Sequence, residues 1–536
     1  MLKWMRFGSP WIWLTAGSVS LSLLAVLGLL LMIGWQGLSY FWPAPVYQFS
    51  VAMADRQQVV LGEIYETKAV PRQQLLEAGY TLKGNDSPTI DRYLIKTGNR
   101  ELADLDFVTV LATQIQSQTV ARGVAVMDRV RNGKFYGYPQ AVVDGHTRHE
   151  VSSLTMLETW LTEAEVMREA IRELNDSQYI PLYRQLAGMK SQHGNTASET
   201  TQQTIQAKLD TVTQQLAQMR QTLDGQALLV KDAQGQTVRI PLAEILYLWY
   251  PNDMSLPEKV AHWGRQIGHF VTDAPREANT EGGVFPAIFG TVLMVLLMSV
   301  IVTPLGVLAA IYLHEYAEQN RFTRLIRVAV INLAGVPSIV YGVFGLGFFV
   351  YMVGGTIDEI FFSDQLPAPT FGTPGILWSA LTLAILTLPV VIVSTEEGLA
   401  RIPPSIRHGS LALGATQAET LWRIVIPMAS PAIMTGLILA VARAAGEVAP
   451  LMLVGVVKMA PSLPVDAQFP YLHLDRKFMH LGYHIYDVGF QSPNVEAARP
   501  LVYATSLLLV TVIVGLNLTA IGIRNHLREK FRDLEQ

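Results

Sequence analysis

The sequence predicts an all-α polytopic membrane protein with six transmembrane helices, and a mixed α/β domain inserted between helices 1 and 2. Three features carry that prediction: six long apolar runs, one block of ordinary globular composition after the first run, and basic residues gathered on alternate connections. Half of the 536 residues are hydrophobic and only 16% are charged; the mean hydropathy is +0.28. A net charge of −4 gives no basic character that would point to nucleic acid as a partner. Cysteine is absent, which excludes a disulfide framework and a thiolate metal site.

Helix 1 is read over about 12–40. No Lys, Arg, Asp or Glu occurs between Arg6 and Asp55, and Tyr40, Phe41 and Trp42 close the run with residues that favour the membrane–water interface. A cleaved signal peptide is the rival reading. The run exceeds a usual apolar signal core, however, and no small-x-small cleavage site follows it. Five further runs, at about 285–313, 326–353, 375–395, 432–456 and 501–523, are each long enough to span. Pro304, Pro337 and Pro389 are expected to bend their helices.

Six spans put both termini on one side, and the basic residues say which. Lys3 and Arg6 precede helix 1, and Arg321, Arg324 and Arg327 lie around the connection from helix 2 to helix 3. Arg401, Arg407 and Arg423 lie between helices 4 and 5, while Arg524, Arg528, Lys530 and Arg532 follow helix 6. The connection from helix 3 to helix 4 instead holds Asp358, Glu359 and Asp364. The positive-inside rule then places both termini, including the tail 526–536, in the cytoplasm, and residues 43–283 on the other side of the membrane.

Within 43–283, strand-like runs occur at Gln58–Tyr65 and Asp106–Leu111, and Ala227–Lys231 and Thr237–Pro241 flank a hairpin turn beginning at Asp232. Residues of about 152–224 read as helices. Ile205, Leu209, Val212, Leu216, Met219 and Leu223 form a seam at alternating four- and three-residue spacing. With only about three heptads, a local antiparallel pair packed within the domain is favoured over a projecting hairpin that meets a partner. No metal-ligand spacing or nucleophile motif appears here, and His146 and His149 read as surface histidines.

After helix 4, the cytoplasmic loop 396–428 contains Glu397–Pro427, which reads as two short helices joined around Gly414. Thr416 is expected to cap the second helix, with Glu419 at the capping-box position. The segment resembles the coupling loop of ABC import permeases: Glu-Ala-Ala, three residues, Gly, nine residues, Ile, one residue, an aliphatic residue, Pro. Gly414, Ile424, Ile426 and Pro427 stand at matching positions. His408, Gly409 and Ser410 replace Glu-Ala-Ala, so the family's acidic contact does not carry over.

Four further stretches, Ala310–Ala317, Leu333–Gly345, Leu411–Thr416 and Arg443–Leu451, resemble the phosphate-specific permease family PstA. The block holding Leu94-Ile-Lys-Thr-Gly-Asn-Arg100 and Gly133-Lys-Phe-Tyr-Gly137 resembles that family's extended forms. The resemblance implies an ABC importer type I permease core over 284–525 behind helix 1 and its N-terminal residues (1–42). It implies a transport subunit, not an enzyme, with no cofactor of its own. The expected partners are a second, PstC-like permease, two PstB-like ATPase subunits that use ATP, a PstS-like periplasmic phosphate-binding protein, phosphate and membrane lipid. Coupling to the ATPase would fall to Arg407, His408, Gly414, Ala415, Thr416, Ile426 and Pro427. The residues independently agree that ATP chemistry comes from elsewhere, since no Gly-x-x-x-x-Gly-Lys-Ser/Thr loop occurs in this sequence.

Arg443 and Glu447 are the only charges in the cores of the predicted spans. Charges in a span are costly unless paired or hydrated, and residues four apart share one helix face. A structural ion pair is one reading. The other puts Arg443 on the anion path, its guanidinium forking onto phosphate oxygens while Glu447 holds it. The resemblance favours the second. Another oxyanion, sulfate or molybdate, is the alternative cargo. A membrane sensor would call for a soluble output domain after helix 2, and an intramembrane enzyme for clustered His and acidic or Ser/Lys groups within spans. The sequence offers neither.

Overall fold

The computed structural model describes residues 9–53, 56–79, 87–99, 102, 106–145, 147–151, 154–191, 197–363, 367–467, 469–492 and 495–531. His146 and Asp364 lie outside these residues. The chain divides into two compact units, one of residues 42–265 and one of residues 1–41 with 266–536.

In the second unit, six helices among the described residues are long and apolar enough to cross a membrane. They are Trp11–Ser39, Phe285–Tyr316, Ser338–Phe361, Ile376–Ala400, Gln417–Gly446 and Ala498–His526. The expected third span, 326–353, is corrected. Arg321–Leu333 forms a separate amphipathic helix, whose Ile326 and Val330 pack toward Ala310, Leu313 and Ile392. Its end is set locally: the amides of Ala334, Gly335 and Val336 fold back onto Ile331, Asn332 and Leu333. Pro337 then stands extended at φ −55°, ψ 134°, and the spanning helix restarts at Ser338. Proline donates no N–H and pushes its predecessor out of helical geometry, so one apolar run becomes two helices.

Spans two, four and five build the core. Met294, Met298 and Val302 meet Leu383, Val391, Ala440 and Ala444, all nearly or fully buried. Small residues let the helices approach: a Cβ on Gly306 would lie 2.6 Å from Val391 Cγ1, and one on Gly436 would lie 2.7 Å from Ser394 Cβ. Between membrane helices, such backbone proximity supplies the dispersion contact that hydrophobicity alone does not.

The first unit is built on two antiparallel sheets. The strands are β1 (Val46–Met53), β2 (Arg56–Pro71), β3 (Thr89–Lys96), β4 (Phe107–Leu111), β5 (Ile115–Val120), β6 (Ala125–Arg129), β7 (Phe135–Asp144), β8 (Thr147–Glu150), β9 (Gln226–Lys231), β10 (Thr237–Pro241) and β11 (Ile245–Trp249). One sheet runs β4-β3-β2-β1-β5; the other runs β10-β9-β7-β6-β11, with β8 added beside β7. The expected hairpin forms between β9 and β10, where Asp232 Oδ1 accepts from the amides of Gln234 and Gln236. The helix Ala197–Gly225 buries Ile205, Leu209, Val212, Leu216 and Leu223, with Met219 half-buried, so the seam is spent inside the unit. Leu186 and Leu182 of the preceding helix pack against it.

The two stretches that tied this unit to the extended forms meet each other. Asn99, at φ 56°, donates its amide to Lys134 O, and its side chain exchanges two hydrogen bonds with the backbone of Tyr136. Gly98 sits so close to Lys134 O that no Cβ fits there. They form a joint between the sheets, which accounts for the glycine and asparagine by backbone geometry.

Candidate functional site

The helix Gln417–Gly446 ends between Arg443 and Glu447. It was expected to run from 432 to 456 and instead stops at Gly446. Glu447 turns extended (φ −76°, ψ 134°), and after Pro450 a short helix forms over Leu451–Val454. Pro450 again removes a donor and disfavours helix at Ala449. The chain beyond the break is wedged between neighbours. A Cβ on Gly342, near the start of span three, would lie 2.7 Å from Pro450 Cα, and one on Gly375, just before span four, would lie 2.5 Å from Asp475 O. Gly455 in turn presses on Gly375 O, and Leu451 and Val454 are fully buried. A Cβ on Gly345, one turn further into span three, would lie 3.0 Å from Val454 Cγ1, so the stretch 450–455 packs along the first turns of span three and beside the start of span four.

Arg443 occupies the last helical turn, and its Nε lies 3.5 Å from Glu447 Oε1. The arginine side chain keeps 35% of its surface exposed and the glutamate 19%. A helix C-terminus carries partial negative charge and unpaired carbonyls, which repel an anion. Arg443 sets a cation against that terminus, and Glu447 pairs with the same guanidinium. An interrupted helix lining a cavity is a recurring way to place such a terminus at an ion's path. Tyr341 lies within electrostatic range of Arg443 and donates its hydroxyl to Leu333 O at 2.7 Å, across the Pro337 break.

The segment after span four forms as expected up to residue 416. Pro404–Ala412 is helical, Gly414 turns at φ 91°, and Ala415 N–H donates to Ser410 O. Thr416 Oγ1 accepts from Glu419 N–H, while Glu419 accepts from Thr416 N–H at 2.9 Å. The second helix is not separate, however: it starts at Gln417 and runs through Ile426 and Pro427 into span five. A π-turn over Leu421–Val425 precedes Pro427, letting the helix absorb the missing proline donor. Ile426 and Pro427 are half-buried within this helix. His408 and Gly414 are exposed, as are Leu411, Leu413 and Trp422, with Leu413 91% exposed.

Arg407 turns the other way. Its side chain, 17% exposed, donates to Ile402 O at 3.0 Å, Leu399 O at 2.9 Å and Glu315 Oε1 at 2.8 Å. Beside it, Arg327 donates to Leu313 O at 2.8 Å and to Glu396 Oε1 at 3.3 Å. Sequence reasoning placed Arg407 with the coupling residues and missed Glu315, Arg327 and Glu396. Their signal was three charges at the ends of apolar runs, on segments that spacing alone does not bring together.

A second cluster was also missed. His480, His484 and Asp487 follow an i, i+4, i+7 spacing and are all buried. Asp487 Oδ2 lies 3.2 Å from Lys458 Nζ and accepts from Asn279 Nδ2 at 3.2 Å. His480 Nδ1 accepts from Gly482 N–H, and Leu481 N–H donates to Thr291 Oγ1. Burial lowers the His480 imidazole to about 4. Burial also lowers His484 to about 4, with Asp487 opposing and Lys458 adding to the shift. No group of three or more His, Cys, Asp or Glu suited to a metal occurs among the described residues.

Comparison with known proteins follows this geometry. A family model described as binding-protein-dependent transport system inner membrane component matches residues 302–533. The probable ABC transporter permease protein YqgI of Bacillus subtilis is 31% identical over 258 residues, covering 47% of this chain and 81% of that protein. The phosphate transport system permease protein PstA 1 of Mycobacterium tuberculosis is 35% identical over 245 residues, covering 45% of this chain and 71% of that one. Among solved structures, the inward-facing MetNI methionine ABC transporter is similar at 18% identity and a TM-score of 0.33, covering 46% of this chain and 94% of that chain.

Proposed function

The chain belongs to the binding-protein-dependent inner-membrane transport permeases, and on that premise we propose that it carries inorganic phosphate inward as one half of an ATP-driven importer. The observation that carries this reading is Arg443. It is a partly exposed guanidinium at the interrupted end of span five, in a chain 35% identical over 245 residues to a phosphate permease. A planar fork of donors suits a tetrahedral oxyanion, and Glu447 limits how tightly the ion is held.

On this reading both termini and the segment 401–416 face the cytoplasm, and residues 43–283 face the periplasm, where the phosphate-binding protein delivers its load. The exposed His408, Leu411, Leu413, Gly414 and Trp422 give an ATPase subunit a surface to hold. Because the second cytoplasmic helix is continuous with span five, a stroke on that surface reaches Arg443 along one helix. The partners remain a second permease, two ATPase subunits and the binding protein; ATP is hydrolysed by the ATPase, with no cofactor in this chain. The test is competition. In vesicles holding all partners and ATP, labelled phosphate uptake should be blocked by unlabelled phosphate and unaffected by equal sulfate or molybdate. Preferential inhibition by either of those anions would move the cargo to that oxyanion.

A further inference from the structure

The cytoplasmic hairpin is joined to the membrane helices by more than its covalent continuation into span five. Arg407, on its first helix, satisfies Leu399 O and Ile402 O at the end of span four, and pairs with Glu315 at the end of span two. Glu396, one turn earlier on span four, pairs with Arg327 of the Arg321–Leu333 helix, whose guanidinium also holds Leu313 O. Both arginines thus sit at helix C-termini, where a cation is favoured, and Arg407 adds a side-chain bond to Leu399 O, which already accepts from Ile402 N–H. Glu315 is 12% exposed and Arg407 17%, so neither offers its charge to an approaching subunit.

We propose that Arg407 and Glu315 form an internal clamp that makes the hairpin and the ends of spans two and four move as one body, with Arg327–Glu396 extending it to the helix before span three. Arg407 is then a positioning residue for coupling. The docking surface is left to its exposed neighbours. A charge-assisted fork holding three acceptors resists shear far better than apolar contact, because each bond has a direction as well as a distance. This rests on the importer reading but does not depend on the cargo.

The test uses the full assembly with its ATPase, and exploits the absence of cysteine. Cysteines introduced as Glu318→Cys and Ser405→Cys, both at exposed positions, carry spin labels just past the end of span two and on the hairpin. With native Glu315, their separation should stay a single narrow distribution with and without trapped ATP. With Glu315→Gln, the ATP-bound state should gain a second, longer distance. In unlabelled assemblies, anion transported per ATP hydrolysed should fall about fivefold in Glu315→Gln while hydrolysis itself persists. Glu315→Asp, which keeps the charge, should recover most of that ratio. An unchanged separation and an unchanged ratio in Glu315→Gln would overturn the clamp. If Glu315→Gln does not assemble, Arg407→Lys takes its place: an ammonium offers its donors from a single nitrogen and cannot reproduce the fork that reaches Ile402 O, Leu399 O and Glu315 from two, so a native distance distribution in that variant would equally overturn it. Failure of the native assembly to move phosphate would instead count against the cargo, and the distance measurement would still decide the clamp.

Discussion

Arg443 and Glu447 form a pair at the spacing the sequence implied, yet in a setting it did not imply. Read as part of an unbroken span, they are two charges neutralising each other in an apolar helix. At an interrupted helix end, the arginine offsets the terminal dipole as well as the glutamate. Two outcomes follow from that setting. Glu447→Gln removes the counter-charge, so phosphate should be held more tightly: KM for uptake should fall and turnover should drop about fivefold as release becomes limiting, read from initial rates of vesicle uptake. Arg443→Lys keeps a cation without the fork and should retain assembly while losing about tenfold in kcat/KM for phosphate. For Arg407, residue type and spacing identified the right segment and could not tell which way the side chain turns. Its partner Glu315 lies 92 positions away in sequence. Orientation of that kind is decided by tertiary approach and leaves no periodic trace.

At the scale of elements, the apolar runs and their number were readable, because about 20 consecutive apolar residues leave little choice of structure in lipid. The ends were less so. Hydropathy sees the run at about 326–353 as continuous, and only the backbone chemistry of Gly335-Val-Pro337 divides it; Pro450 does the same after span five. The capping box at Thr416 and the β9–β10 turn, whose signals are local, appeared where expected. Packing of the break against span three gives a contrast within one helix. Gly342→Ala places a Cβ 2.7 Å from Pro450 Cα and should destabilise the protein by about 1–3 kcal/mol, whereas Gly347→Ala meets nothing within 4 Å and should be tolerated. Thermal unfolding of both variants in lipid discs checks this.

The helix Leu481–Tyr486 carries the pH dependence. His480 and His484 are held neutral near pKa 4, below the ordinary 6.5, so below that pH the unfolded chain binds more protons than the folded one. Their contribution to stability is complete above pH 6.5 and is lost as pH falls from there toward 4, at up to about 1.4 kcal/mol per pH unit for each histidine. Melting temperature should be flat above neutrality and fall on acidification, and His484→Gln should make that fall shallower. A fall equally steep in His484→Gln would remove this histidine from the account.

At the scale of the whole molecule, two units of different character share one chain. The family match at 302–533 covers the membrane unit's larger part and leaves the sheet-bearing unit of 42–265 outside it. Sequence patterning read four of that unit's eleven described strands, β2, β4, β9 and β10, and its helical seam, because alternation and heptad spacing report burial directly. It could not supply the joint of Asn99 with Tyr136, which pairs stretches nearly forty residues apart. Its burial of the seam leaves the Ala197–Gly225 helix to stabilise its own unit. Leu216→Ala should therefore lower the melting temperature through a cavity costing about 2–4 kcal/mol, and leave uptake per folded complex unchanged.

The central claim is that this permease passes phosphate along a path that includes Arg443. The most direct measurement is ATP-driven uptake of labelled phosphate into vesicles by the complete complex, comparing native protein with Arg443→Ala at equal assembled amounts. The account predicts that the native complex accumulates phosphate while Arg443→Ala loses uptake and still binds its ATPase. Native uptake by a stably assembled Arg443→Ala complex would contradict it.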